Sequence, residues 1–68
     1  MRRRTLREWR AYRDLSKSEI AEKLGVTVLT YSTYEKHPEK MRIKDAAVLA
    51  DLFGCEIQDI IFFENQPN

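Results

Sequence analysis

The stretch LSKSEIAEKLGVTVLTYSTYE, residues 15–35, constrains the fold more than any other part of the chain. Ser16 stands three residues before Glu19. That is the spacing of a capping box, in which a hydroxyl holds one orphan N–H of a helix start and the carboxylate reaches back to another. Ile20, Ala21 and Leu24 then recur at helical spacing. Gly25 stops the helix, because a residue without Cβ enters the left-handed region at no steric cost. Thr27 is a second N-cap, and Tyr31 and Tyr34 follow as an apolar pair at i, i+3. A helix over residues 17–24, a tight glycine turn and a helix over residues 28–36 make a helix-turn-helix. In that motif the second helix has the geometry to enter a DNA major groove.

The remaining chain supports one small all-α domain. Sixty-eight residues bury a modest fraction of their surface, so stability rests on good packing. The hydrophobic content of 43% is that of a globular chain and not of a disordered one. One Cys allows no internal disulfide, and with one His there is no zinc-ligand set. A reducing cytoplasm fits this composition. The arginine-rich start is not followed by a long apolar run, so it reads as neither signal peptide nor membrane span. Net charge is +1, but it is unevenly spread. Residues 1–34 hold eight Lys/Arg against four Asp/Glu, and residues 35–68 hold four against seven. The basic half contains the helix-turn-helix and is suited to a polyanion; by itself the asymmetry is equally compatible with an ordinary solvated surface.

Residues 1–4, Met-Arg-Arg-Arg, have no periodicity and read as a mobile basic arm, free to touch phosphates or a minor groove, or simply an unstructured start. Residues 5–13 form a first helix, with Leu6 and Trp9 on one face and Arg10 at its edge. Asp14 takes a turn position, a left-handed one being tolerable for Asp. Lys17 opposes the dipole in the first turn of the next helix, an arrangement that suits a docked phosphate. Val28, Leu29, Ser32 and Thr33 lie on the arc of the third helix facing away from Tyr31 and Tyr34. Val28 and Leu29 suit thymine methyls, or else light burial or a protein contact. No Gln, Asn or Arg supplies bidentate base reading there. Pro38 breaks the chain into a loop. Lys36, Lys40, Arg42 and Lys44 give that region a basic character, as phosphate clamps or as solvated side chains. Ile43, Ala46, Leu49, Ala50 and Phe53 have the spacing of an amphipathic helix over residues 44–53, ended by Gly54. Cys55 reads as a small buried hydrophobe. A fifth helix is expected over residues 57–62, with Ile57, Ile60 and Ile61 inward. Phe62 and Phe63 exceed what that short helix buries, which points to packing on the first helix or to a dimer interface. Residues 64–68 are a polar tail.

The segments LREWRAYRDLSKSEIAEKLGVTVLTYSTYEK and IKDAAVLADLFGCEIQDII together resemble the five helices of the Cro and phage-repressor type of helix-turn-helix DNA-binding domain, the XRE family. The resemblance covers nearly the whole chain and implies a five-helix, lambda-repressor-like domain over residues 5–63. It implies that Val28, Leu29 and Thr33, with Ser32 beside them, contact bases. It puts Lys17, where the family usually has Gln, against a backbone phosphate, and Thr27 on the Ser/Thr that caps the recognition helix. Thr27, Lys36, Lys40 and Arg42 join Lys17 as expected phosphate contacts. Arg10 and Glu35 fall on a pair that forms an ion pair between the first and third helices in this family. The chain departs from the pattern at Lys36-His37-Pro38, where Gly or Asn-Gly is common, and at Glu56, which replaces a capping Ser.

These residues lead to a sequence-specific, double-stranded-DNA-binding regulator, a small Cro-like repressor of phage or mobile-element type that acts as a homodimer, in which Phe62 and Phe63 are the dimer candidates. The second reading is a protein-interaction module using the apolar third helix and the C-terminal surface. An enzyme is the poorest reading, because the chain offers no nucleophile–base pair, paired carboxylates, metal cluster or Gly-rich phosphate loop. No cofactor, small-molecule substrate or membrane is expected as a partner.

Overall fold

The start of each of the first two helices is fixed by reciprocal hydrogen bonds. In the computed structural model, which describes residues 2–62, α1 spans Leu6–Tyr12 and α2 spans Lys17–Leu24. The Thr5 hydroxyl accepts from the Glu8 N–H at 3.2 Å, and the Glu8 carboxylate accepts from the Thr5 N–H at 2.8 Å. Ser16 and Glu19 repeat the device ahead of α2, at 3.0 and 2.8 Å. These bonds favour the ionised carboxylates and hold Glu8 and Glu19 below the ordinary carboxylate pKa. Removing the Ser16 hydroxyl with Ser16→Ala is expected to cost about 1 kcal/mol, read as a lower urea midpoint with an unchanged slope.

Two left-handed residues set the path between helices. Asp14 has φ 56° after α1, and Gly25 has φ 73° after α2. The N–H of Val26 then returns to the Ala21 carbonyl at 3.0 Å, which closes the end of α2. A Cβ at Gly25 would meet no atom, so the demand for glycine there is conformational. α3 spans Val28–Lys36 behind the Thr27 cap, whose hydroxyl accepts from the Thr30 N–H at 3.1 Å. A single 3₁₀ turn, Pro38–Lys40, leads to α4, Ile43–Phe53.

The described residues hold four α-helices and not five. Where a fifth helix is expected over residues 57–62, the chain makes one 3₁₀ turn, Ile57–Asp59, and then extends. Ile60 pairs with Arg4 in a parallel bridge: the Arg4 N–H donates to the Asp59 carbonyl at 3.0 Å, and the Ile61 N–H to the Arg4 carbonyl at 2.8 Å. The Trp9 indole N–H also donates to the Asp59 carbonyl, at 3.0 Å. That oxygen is therefore taken by two partners from elsewhere, and β-branched Ile60 and Ile61 suit the extended backbone.

The same bridge changes the picture of the basic arm. Arg4 is half-buried, with its guanidinium 4.0 Å from the Tyr12 ring centroid and 4.8 Å from that of Trp9. Arg3 donates to the Gln58 carbonyl at 3.1 Å. Two of the three arginines thus lie against the C-terminal segment instead of running free. Met1, Phe63 and the polar tail, residues 64–68, lie outside the described residues.

The core is built from Leu6 and Trp9 of α1, Ile20 and Ala21 of α2, Tyr31 and Tyr34 of α3, Ala46, Leu49, Ala50 and Phe53 of α4, and Ile60. Trp9 and Phe53 are fully buried and stack with rings 10° from parallel. The helical spacing of α4 proves a correct guide except at its first residue. Ile43, the first residue of α4, is 74% exposed. Asp45 is buried instead, where its carboxylate accepts from the Tyr34 hydroxyl at 3.0 Å and lies 3.8 Å from Arg42 Nε. Cys55 and Phe62 are half-buried and pack against this core.

Candidate nucleic-acid interface

α2 and α3 present one continuous surface beside α1. On α3, Leu29, Thr33 and Lys36 follow one another at i, i+4, i+7 and are all exposed. Val28 and Ser32 form the adjacent row, with Val28 exposed and Ser32 half-buried. The first turn of α3 holds no acidic residue, so its N-terminal N–H groups keep their positive potential unopposed.

Next to this face, a cleft of 690 Å³ runs between α1 and the α2–α3 pair. Arg7, Arg10, Lys17, Ser32, Glu35 and Lys36 line it. The Lys17 ammonium reaches across to donate to the Ser32 hydroxyl at 3.3 Å, which joins the start of α2 to the middle of α3. Arg10 Nε donates to Glu35 at 2.7 Å, with the two side chains 21% and 9% exposed. This charged hydrogen bond raises the Arg10 pKa. The Tyr31 hydroxyl is buried beside the pair and has no hydrogen-bond partner among the described residues. Burial, followed by the Glu35 carboxylate, pushes that phenol well above its usual pKa. Glu35 neutralises Arg10, and the Glu8 carboxylate is held by Thr5. Arg7, Lys17 and Lys36 have no ion-pair partner among the described residues, so the cleft is cationic.

The sequence-derived candidates divide between this cleft and its surroundings. Lys17, Ser32, Lys36, Arg10 and Glu35 line the cleft together. Val28, Leu29 and Thr33 stand on the exposed side of α3. Thr27 is engaged as the α3 cap. Lys40 ends the 3₁₀ turn and Arg42 caps α4, both exposed. One contributor to the cleft went unnoticed in the sequence. Arg7 lies one helical turn before Arg10, and that i, i+3 spacing was the available signal. None of the described helices is long and apolar enough to cross a membrane.

A family model described as the Cro/C1-type HTH DNA-binding domain matches residues 5–66. An uncharacterized HTH-type transcriptional regulator of Methanocaldococcus jannaschii is 35% identical over 60 residues, covering 88% of this chain and 91% of the relative. The cryptic phage CTXphi transcriptional repressor RstR of Vibrio cholerae is 32% identical over 56 residues. That match covers 82% of this chain and 50% of the repressor, so the chain aligns with about half the length of that relative. No solved structure matches the chain significantly. With its helix-turn-helix, its cationic cleft and a family match over most of its length, the chain belongs to the Cro/C1-type helix-turn-helix DNA-binding domain family.

Proposed function

We propose that the protein is a cytoplasmic transcriptional repressor that binds specific double-stranded DNA as a homodimer. Each α3 enters a major groove, with half-sites roughly 34 Å apart. The observation that carries this reading is the exposed row Leu29-Thr33-Lys36 beside a cleft of cations without ion-pair partners. A repressor of phage origin among the relatives supports the regulatory direction. In this reading Val28, Leu29, Ser32 and Thr33 meet bases, and Lys17, Thr27, Lys36, Lys40 and Arg42 meet phosphates. Phe62 and Phe63 contribute to the dimer contact; Phe62 does so with only part of its ring, since it already packs on the core.

The test is selection of bound duplexes from a random pool, with the protein's mass measured in solution. An enriched pseudo-palindromic site and a dimeric mass are expected. A monomer that enriches no sequence would refute the proposal. The exposed Val28 and Leu29 side chains favour one other reading, a protein-interaction module, in which DNA affinity is generic or absent. Contact roles separate in gel shifts. Lys17→Ala is expected to weaken binding to all sequences by a similar factor, whereas Thr33→Ala or Leu29→Ala changes the preference between sequences. The reverse assignment would overturn the division between phosphate and base contacts.

A further inference from the structure

The outward face of α3 offers carbon where base-reading helices commonly offer hydrogen-bond donors. Leu29 is 78% exposed and Val28 42% exposed. The Thr33 hydroxyl donates to the Leu29 carbonyl at 3.2 Å, so its proton is committed within the helix. The Thr27 oxygen holds the Thr30 N–H at 3.1 Å and lies at the same distance from the Thr30 hydroxyl. The Ser32 oxygen accepts from Lys17 at the edge of the cleft. Residues 28–35 contain no Arg, Lys, Asn or Gln, and Lys36, at the last position of α3, lines the cleft, so the N-terminal part of the face holds none of the side chains that grip purines in bidentate fashion.

A face of this kind distinguishes few features of a base pair. The apolar feature in the major groove is the C5-methyl group of thymine. Cytosine carries only hydrogen at C5, but 5-methylcytosine places a methyl group at the same point. The cationic cleft alongside, lined by Arg7, Lys17 and Lys36, suits a phosphate backbone and makes duplex DNA the fitting occupant of this apolar surface. We propose that α3 reads pyrimidine C5-methyl groups through Leu29 and Val28, and therefore accepts 5-methylcytosine where it accepts thymine. This rests on the DNA-binding reading above.

The test uses the full chain and duplexes enriched from a random pool. Each thymine is replaced in turn by uracil, which deletes only the methyl group. At contacted positions affinity is expected to fall about fourfold per methyl. Replacing the same T·A pair by C·G is expected to weaken binding, and methylating that cytosine at C5 to recover a comparable factor. Leu29→Ala, at a 78% exposed helical position, is expected to shrink the difference between thymine and uracil duplexes while keeping the salt dependence of the parent. Equal affinity of the parent protein for thymine and uracil duplexes at every position overturns the methyl-reading inference and leaves the DNA-binding reading standing. Absence of any enriched duplex overturns both and leaves α3 as a protein-contact face.

Discussion

A Glu35→Gln variant is expected to melt roughly 12–24 °C below the parent protein, which corresponds to a loss of about 3 kcal/mol in a domain of this size. Glutamine keeps the shape and one acceptor oxygen but removes the negative charge. Arg10 would then keep its positive charge in a site where it is only 21% exposed, facing a neutral amide in place of the carboxylate now at 2.7 Å. The Tyr31 hydroxyl nearby offers little compensation, because a neutral phenol cannot replace the lost negative charge. Partial solvent access to Arg10 moderates the loss and places it at the lower end of the range for broken buried pairs. The total stability of a domain this short is roughly 3–10 kcal/mol, so the variant should lose about a third or more of it. A double variant, Arg10→Met with Glu35→Leu, separates two causes. If the loss comes from stranding a charge, the apolar pair should recover much of it. Circular-dichroism melts measure both variants, and a Glu35→Gln melt within a few degrees of the parent would refute the expectation.

The second large effect is on DNA affinity. The proposed phosphate contacts include four cations per protomer, Lys17, Lys36, Lys40 and Arg42. A dimer would then neutralise about eight phosphates, for a log–log salt slope of about −7. Raising salt from about 50 to about 200 mM should weaken binding by roughly 10⁴-fold. Gel-shift titrations across that range give the slope directly. Lys17→Ala should make it shallower by about 2 in a dimer, one for each copy. A parent slope shallower than about −3 would be incompatible with this set of contacts.

The centre of the fold was readable because its signals are local. Ser16 and Glu19 lie one turn apart, Gly25 needs only its own φ, and Thr27 caps the next four residues. Periodicity alone placed Tyr31, Leu49 and Phe53 correctly in the core. The failures come from long range. The turn at Ile57–Asp59 stops because Arg4 and Trp9, distant in sequence, take the Asp59 carbonyl. No local pattern around residue 59 records this. Ile43 satisfied the helical spacing, but spacing does not reveal that the first residue of α4 stays exposed. Asp45 was missed for the opposite reason, since its partner Tyr34 lies on another helix. At the candidate interface, helical phase placed Arg10 and Glu35 only at the edges of apolar faces, and the pairing came from family resemblance. Arg7 was hidden because a cleft depends on how α1 sits against α3.

The parallel bridge between Arg4 and Ile60 also fixes where covalent additions emerge. Arg4 and Ile60 lie side by side, with Arg4 bonded through both its N–H and its carbonyl to the residues flanking Ile60. A fluorophore or other label attached next to residue 4 therefore becomes a neighbour of one attached next to residue 60. Bulky groups attached beside residue 4 and beside residue 60 would compete for the same side of the molecule.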